Sequence, residues 1–293
     1  MSVRIEVLAD VKPLLGEGPL WDVETERLYF VDSLGRRVFR CTDRGAEMRA
    51  WMVPSEIGSM ALRRDGGAVV ALRDGFHGLD LETGELERWL DPEPERPTTR
   101  LNDGKVDPAG RFLCGSMDTA EAEPLGSLWS LGLDRQAAEL DHGITCSNGP
   151  CFAPDGRTLY FADTFAPAIY AYDYDLGSGA ATNRRLFHQP DCAPGAGPDG
   201  ATVDEEGGLW TALVFDGRIL RLAPDGRVDR EIRMPVVKIT SLSFGGAGLD
   251  VLYVTSMAEP PLARHPGDGP LRGAVFAVHG LSVRGRPEPR YAG

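Results

Sequence analysis

One pattern recurs six times in this chain: a short apolar segment, a D-x-x-G-like turn and a β-rich run, at residues 27–32, 68–74, 111–118, 158–164, 208–214 and 250–257. The best-preserved copies read APDGRTLYFADT and DEEGGLWTALV. A period of roughly 20–50 residues marks a solenoid, propeller or array, because each unit can bury its apolar face only against the next. After each run comes a loop and a second alternating segment: RVFRCT, FHGLDL, SLWSLGL, AIYAYDY, RILRLA and AVFAV. Alternation of this kind is the pattern of half-buried strands.

A further strand follows in most copies, as in MRAWMVP, LERWLDP and VDREIRM. Four strands per repeat make one propeller blade. The sixth copy ends near Val278 without a fourth strand, whereas residues 3–9 form a strand candidate with no partner. The expectation is therefore an all-β, six-bladed β-propeller of four-stranded blades, with residues 1–293 as a single domain and the ring closed by the N-terminal strand, which also removes an exposed edge. The 36 glycines and 22 prolines are scattered at turn-like intervals and mark no linker. A pair of β-sandwiches would not repeat its connections in register.

Aligned on the turn that follows the first strand of each blade, the six copies place Glu17, Gly58, Asn102, Asn148, Asp199 and Thr240 at equivalent positions. First strands line the axis of a propeller, so these side chains should converge at one end of the channel. Glycine and proline nearby, in GEGP, SNGP and GPDG, would suit purely local turns. Two carboxylates and two carboxamides gathered there are nevertheless costly unless a cation binds them. Glu17, Asn148 and Asp199 offer three hard oxygen ligands carrying two negative charges, the preference of calcium, magnesium or manganese, and tolerated by iron.

The loops after the second strands should form the rim of that end: 74–78 with Phe76 and His77, 118–126, 164–167 with Phe165, 215–217, and the long 257–272 segment. Aromatic rings there would either stack on a sugar face or pack the loops. His77, His142, His188, His265 and His279 show no paired metal spacing and read as structural or solvated. Cys41, Cys114, Cys146, Cys151 and Cys192 form an odd set without C-x-x-C, which suggests reduced thiols rather than a disulfide framework or zinc clamp.

A formal charge of −13 argues against nucleic acid, whose phosphates are met by clustered Lys and Arg. No apolar run approaches a membrane span, and residues 1–10 lack a basic region followed by an apolar one, so a cytoplasmic protein without membrane contact is expected.

LGEGPLW at 15–21, RLNDGKVDPAGRF at 100–112, SNGPCFAPDGRTLYFADT at 147–164 and GPDGATVDEEGGLWTAL at 197–213 also carry a family resemblance. In order and spacing they resemble the gluconolactonase and senescence-marker-protein (regucalcin) family of six-bladed propellers, across essentially the whole chain. The resemblance implies Glu17, Asn148 and Asp199 as metal ligands, in agreement with the register. It implies Asn102 as a contact to substrate or metal-bound water, with Arg100 and Asp103 as neighbours that bind sugar hydroxyls.

It further implies a bacterial sugar-acid lactonase with one divalent ion (calcium, magnesium, manganese, iron or zinc) and a small-molecule sugar lactone as partner. Asp199 would serve as ligand and general base in opening an aldono-1,4- or 1,5-lactone to the acid. No G-x-S-x-G elbow occurs, which disfavours an acyl-enzyme. A metal-dependent ester or phosphotriester hydrolase and a non-catalytic metal-binding propeller are the alternatives, since a fold alone does not choose between them.

Overall fold

The computed structural model describes residues 2–259 and 268–293. Among these, 24 strands, from β1 (Arg4–Ala9) to β24 (Val275–His279), form six four-stranded antiparallel sheets. The fold is the expected all-β six-bladed propeller. The innermost strands are β2 (Gly16–Asp22), β6 (Ile57–Leu62), β10 (Thr99–Val106), β14 (Ser147–Phe152), β18 (Gly197–Val203) and β22 (Ile239–Gly245). Each packs on the inner strand of the next blade, and β22 packs back on β2, so the ring is closed.

Closure is also hydrogen-bonded. The last sheet runs β1, β24, β23 (Val251–Ser256), β22, so its outermost strand comes from the other end of the chain. Arg4 pairs with His279 and Val7 with Phe276 across that seam, as the missing fourth strand of the sixth repeat implied.

The six repeat copies coincide with the second strands to within about two residues; β3 (Arg27–Asp32) and β15 (Thr158–Asp163) are examples. These strands are buried on both faces, and β7 (Ala68–Leu72) is buried throughout, so they read as near-continuous apolar runs. Outer strands such as β17 (Ala180–His188) are mostly open to water and polar. Apolar side chains collect between the blades: Tyr29, Val38 and Trp51 of the first face Met60, Leu62 and Val70 of the second, and each neighbouring pair has its own cluster. Every blade is thereby held to its neighbours by burial of apolar surface.

Residues 280–293 lie beyond the last strand and form no ladder, yet they cross the far end of the channel and reach the first turn of all six blades. Arg290 binds Asp22, and Tyr291 exchanges backbone hydrogen bonds with Leu62 and Arg64. Ala292 N donates to Gly110 O, Arg286 to Pro154 O, Glu205 N to Arg284 O, and Gly285 N to Leu249 O. Tyr291 is fully buried, its hydroxyl donating to Gly132 O at 2.7 Å. No helix among the described residues is long and apolar enough to cross a membrane.

Candidate active site

In all six blades the pairing of first and second strands slips at the aligned position: between Glu17 and Leu20, Ile57 and Ser59, Leu101 and Gly104, Asn148 and Cys151, Pro198 and Ala201, and Ile239 and Leu242. A bulge leaves a residue out of the ladder and re-aims its side chain, a device frequent beside active sites. Gly18 and Gly149, directly after Glu17 and Asn148, have φ of 50° and 56°, which a side chain rarely adopts. This favours glycine in GEGP and SNGP, and at Gly149 a Cβ would also meet Asp199 O at 2.8 Å, while the residue before each glycine is free to serve the channel.

The site residues form one directed chain of hydrogen bonds. Arg100 Nη1 donates to Asn102 Oδ1 at 2.7 Å, and Asn102 Nδ2 donates to Asn148 Oδ1 at 3.1 Å and to Ser147 O at 2.9 Å. Asn148 Nδ2 donates in turn to Thr164 Oγ1 at 2.7 Å and, more weakly, to Cys146 Sγ at 3.5 Å. Arg100, Asn102, Asn148 and Thr164 are all buried.

The two carboxylates are poorly supplied by comparison. Glu17 Oε2 accepts only a 3.3 Å bond from Gly18 N, and buried Asp199 Oδ1 has no hydrogen-bond partner. Neither appears in an ion pair among the described residues. Burial, then the charges of Asp199 and Asp103, holds Glu17 well above the usual carboxylate range. Burial and Asp103 do the same to Asp199. Burial lowers the Arg100 pKa, opposed by Cys146, Glu17, Glu121 and Glu56.

An orphaned buried carboxylate oxygen beside a second carboxylate is the environment in which a cation would be stabilised. No three His, Cys, Asp or Glu side chains among the described residues are grouped to hold a metal; the amide oxygen of Asn148 would add a third oxygen donor to the two carboxylates. Two carboxylates and one amide oxygen suit a hard divalent ion, and the donor set fits the expected cofactor.

Asp103 is close enough for its charge to act on Glu17 and Asp199, but its own carboxylate is held by backbone. Its Oδ1 accepts from Gly104 N at 2.8 Å and its Oδ2 from Gly149 N at 2.9 Å, and it lines a narrow axial cavity with Gly18, Ser59, Lys105 and Glu288. Of the rim aromatics, Phe76 is buried edge-on against Phe112, and Phe215 packs with Leu15, Ala196 and Met257. Phe215 packs a loop, whereas the expected rim loop 74–78 is largely strand, β8 (Gly75–Leu79), and Phe76 on it belongs to the core between the second and third blades; Phe165 is half-buried. Residues 260–267 of the long rim segment, His265 among them, lie outside the described residues. His77 is buried with Nδ1 on Gly75 O, and His279 pairs with Glu6. The five cysteines are free.

Two residues near the site were not singled out by the register. Glu121, at φ 56° in the loop after β11 (Phe112–Asp118), acts electrostatically on both Arg100 and Asp199. Thr164 follows β15, and the repeat carries its signal: Asp-Ser or Asp-Thr ends the second strand at 32–33, 118–119 and 163–164.

Comparison with known proteins decides the family. A family profile described as SMP-30/Gluconolactonase/LRE-like region matches residues 15–258. The chain belongs to that family. It is 37% identical over its full length to the whole of a 6-deoxy-6-sulfogluconolactonase from Pseudomonas putida. It is 33% identical to regucalcin of Xenopus laevis, over 100% of this chain and 99% of that one. Among solved structures, a calcium-binding protein, regucalcin, from Agrobacterium tumefaciens superimposes with a TM-score of 0.89 at 28% identity, covering 97% of this chain and 96% of the other.

Proposed function

We propose that this protein is a lactonase that opens a sugar-acid lactone to its aldonic acid with the help of one divalent ion held by Glu17, Asn148 and Asp199. The observation that carries this reading is the unpartnered, buried Oδ1 of Asp199 beside the under-supplied carboxylate of Glu17. Family membership and the full-length 6-deoxy-6-sulfogluconolactonase relative support the reaction class. The relatives described as regucalcin and calcium-binding support a divalent ion, and the donor chemistry favours a hard one.

When bound, such an ion supplies Lewis-acid polarisation of the lactone carbonyl and acidifies water. The chain's own residues do the rest. Asp199 accepts the proton of the attacking water, a role open to a buried carboxylate oxygen that no donor of the chain occupies. Arg100, whose Nη1 is committed to Asn102 and Leu101 O, presents the rest of its guanidinium to ring hydroxyls or to the developing oxyanion. Asn102 fixes Asn148 and Arg100 relative to each other.

The test is lactone opening above the spontaneous rate, followed in a pH-stat on chelator-stripped protein. Activity should vanish on stripping and return with a divalent ion. Full activity in protein shown metal-free by elemental analysis would refute the reading.

A further inference from the structure

Thr164, buried on the turn leaving β15, stands between two of the strands that carry the proposed ligands. Its Oγ1 accepts the Asn148 Nδ2 bond at 2.7 Å and donates to the carbonyl of Pro198, the residue before Asp199, at 2.8 Å. Its backbone N–H donates to Cys146 O at 3.0 Å, which fixes the turn itself. The hydroxyl uses its single donor hydrogen and an acceptor lone pair in these two contacts.

The hydrogen-bond chain from Arg100 to Pro198 has ends of fixed polarity. A guanidinium only donates and a carbonyl only accepts. Asn102 must therefore turn its oxygen to Arg100 and its nitrogen to Asn148, and Asn148 must turn its nitrogen to Thr164, leaving its oxygen available as a ligand. Without the Thr164 hydroxyl, Asn148 Nδ2 keeps only the weak acceptor Cys146 Sγ, and the amide orientation rests on the 3.1 Å bond from Asn102 Nδ2 to Asn148 Oδ1 alone. An inverted amide would then offer hydrogens where an ion needs an oxygen.

The same grip occurs at the other two proposed ligands. Thr240 Oγ1 donates to Gly16 O, just ahead of Glu17, and Asn102 Nδ2 donates to Ser147 O, just ahead of Asn148. In all three cases the donor belongs to the preceding blade and takes the carbonyl immediately before the ligand. We infer that Thr164 is a positioning residue of the metal site: its hydroxyl, acting with Asn102, holds the amide orientation of Asn148 and ties that residue to the strand of Asp199, and so strengthens divalent-ion binding. This rests on Glu17, Asn148 and Asp199 being the ligands.

Titration calorimetry of stripped full-length protein with Mn²⁺ tests it, comparing wild type with Thr164→Val, Thr164→Ala and Thr164→Ser, each checked for folding by its thermal midpoint. Removing a group that orients a metal ligand typically weakens affinity about 10–100-fold. The Val and Ala variants should lose about that much, Thr164→Ser should stay within about threefold of wild type, and saturating Mn²⁺ should recover most of kcat with KM for the lactone little changed. A folded Val or Ala variant that binds Mn²⁺ as tightly as wild type overturns the inference, as does a Ser variant as weak as Val. Failure of both hydroxyl-free variants to fold while Thr164→Ser folds also overturns it, by assigning Thr164 a structural role. Wild-type protein that takes up no Mn²⁺ refutes the ligand assignment itself.

Discussion

Buried carboxylates at the first turns of the blades and the two proposed ligands, Glu17 and Asp199, are treated in opposite ways; Asp32 and Asp163, which end second strands near the site, side with the former, each accepting three hydrogen bonds. At the end with the first turns of the blades, Asp107 and Asp204 are each supplied with four donors. Asp107 accepts from Ala109 N, Arg111 N, Arg111 Nη1 and the Tyr174 hydroxyl, and Asp204 from Glu206 N, Gly208 N, Trp210 Nε1 and Arg221 Nε. Glu288 of the C-terminal segment meets Lys105 at 2.8 Å. At the other end Glu17 has one long bond and Asp199 Oδ1 none. Carboxylates that hold the fold are satisfied from within the chain, and the two proposed as metal ligands are left short; burial alone does not distinguish the two kinds.

The largest effect should come from Asp199→Asn, which keeps the shape and one oxygen but removes the charge and the base. With metal occupancy verified, kcat should fall about 10²–10⁴-fold, the usual contribution of general-base assistance. Glu17→Gln removes a charge from the same site without touching the base, and saturating metal should restore more of its rate. Equal, modest losses in the two variants would show that Asp199 is a ligand only.

Tyr291→Ala, at the closed end, should instead cost about 3–5 kcal/mol of stability, the range for truncating a buried aromatic. Urea unfolding measures the loss, and kcat per folded molecule should stay near the wild-type value. A collapse of kcat in the folded fraction would mean that the two ends are not independent.

A smaller effect should follow from ion binding itself. A ligand at 100 times its Kd stabilises the folded state by about 2.7 kcal/mol, so Mn²⁺ should raise the thermal midpoint of stripped wild type, and Asp199→Asn should show a much smaller rise at the same Mn²⁺. The smallest effect on the site is expected from Glu288→Gln. Leaving Lys105 with an amide oxygen but no counter-charge destabilises the fold by about 1–3 kcal/mol, while Mn²⁺ affinity should stay within about twofold, a change below roughly 0.4 kcal/mol. A tenfold change in affinity would place Lys105 and Glu288 in electrical contact with the site.

The fold was legible because the second strands, buried on both faces, repeat as apolar runs, and because the sixth repeat lacked a strand that the N-terminus could supply. The aligned positions were legible for a related reason: the spacing from inner strand to turn is the same in every blade and the pairing slips at or beside the aligned residue, so counting back from the turn lands on Glu17, Asn148 and Asp199 alike. The same bulge obscured Asp103, since one extra residue between Leu101 and Gly104 breaks the alternation that would assign its face. Thr164 escaped because it belongs to a second strand, outside the aligned set. Residues 280–293 carry no strand period, and their partners are turns scattered along the whole chain, so nothing local marks them as the closure of the channel.

Anomalous diffraction from crystals grown with Mn²⁺ tests the contrast between the two ends most directly. The account predicts one strong peak about 2.0–2.6 Å from oxygens of Glu17, Asn148 and Asp199, the range of hard divalent ions, and no peak beside Glu288. An empty site at Asp199, or a peak bound instead at the Glu288 end, would contradict it.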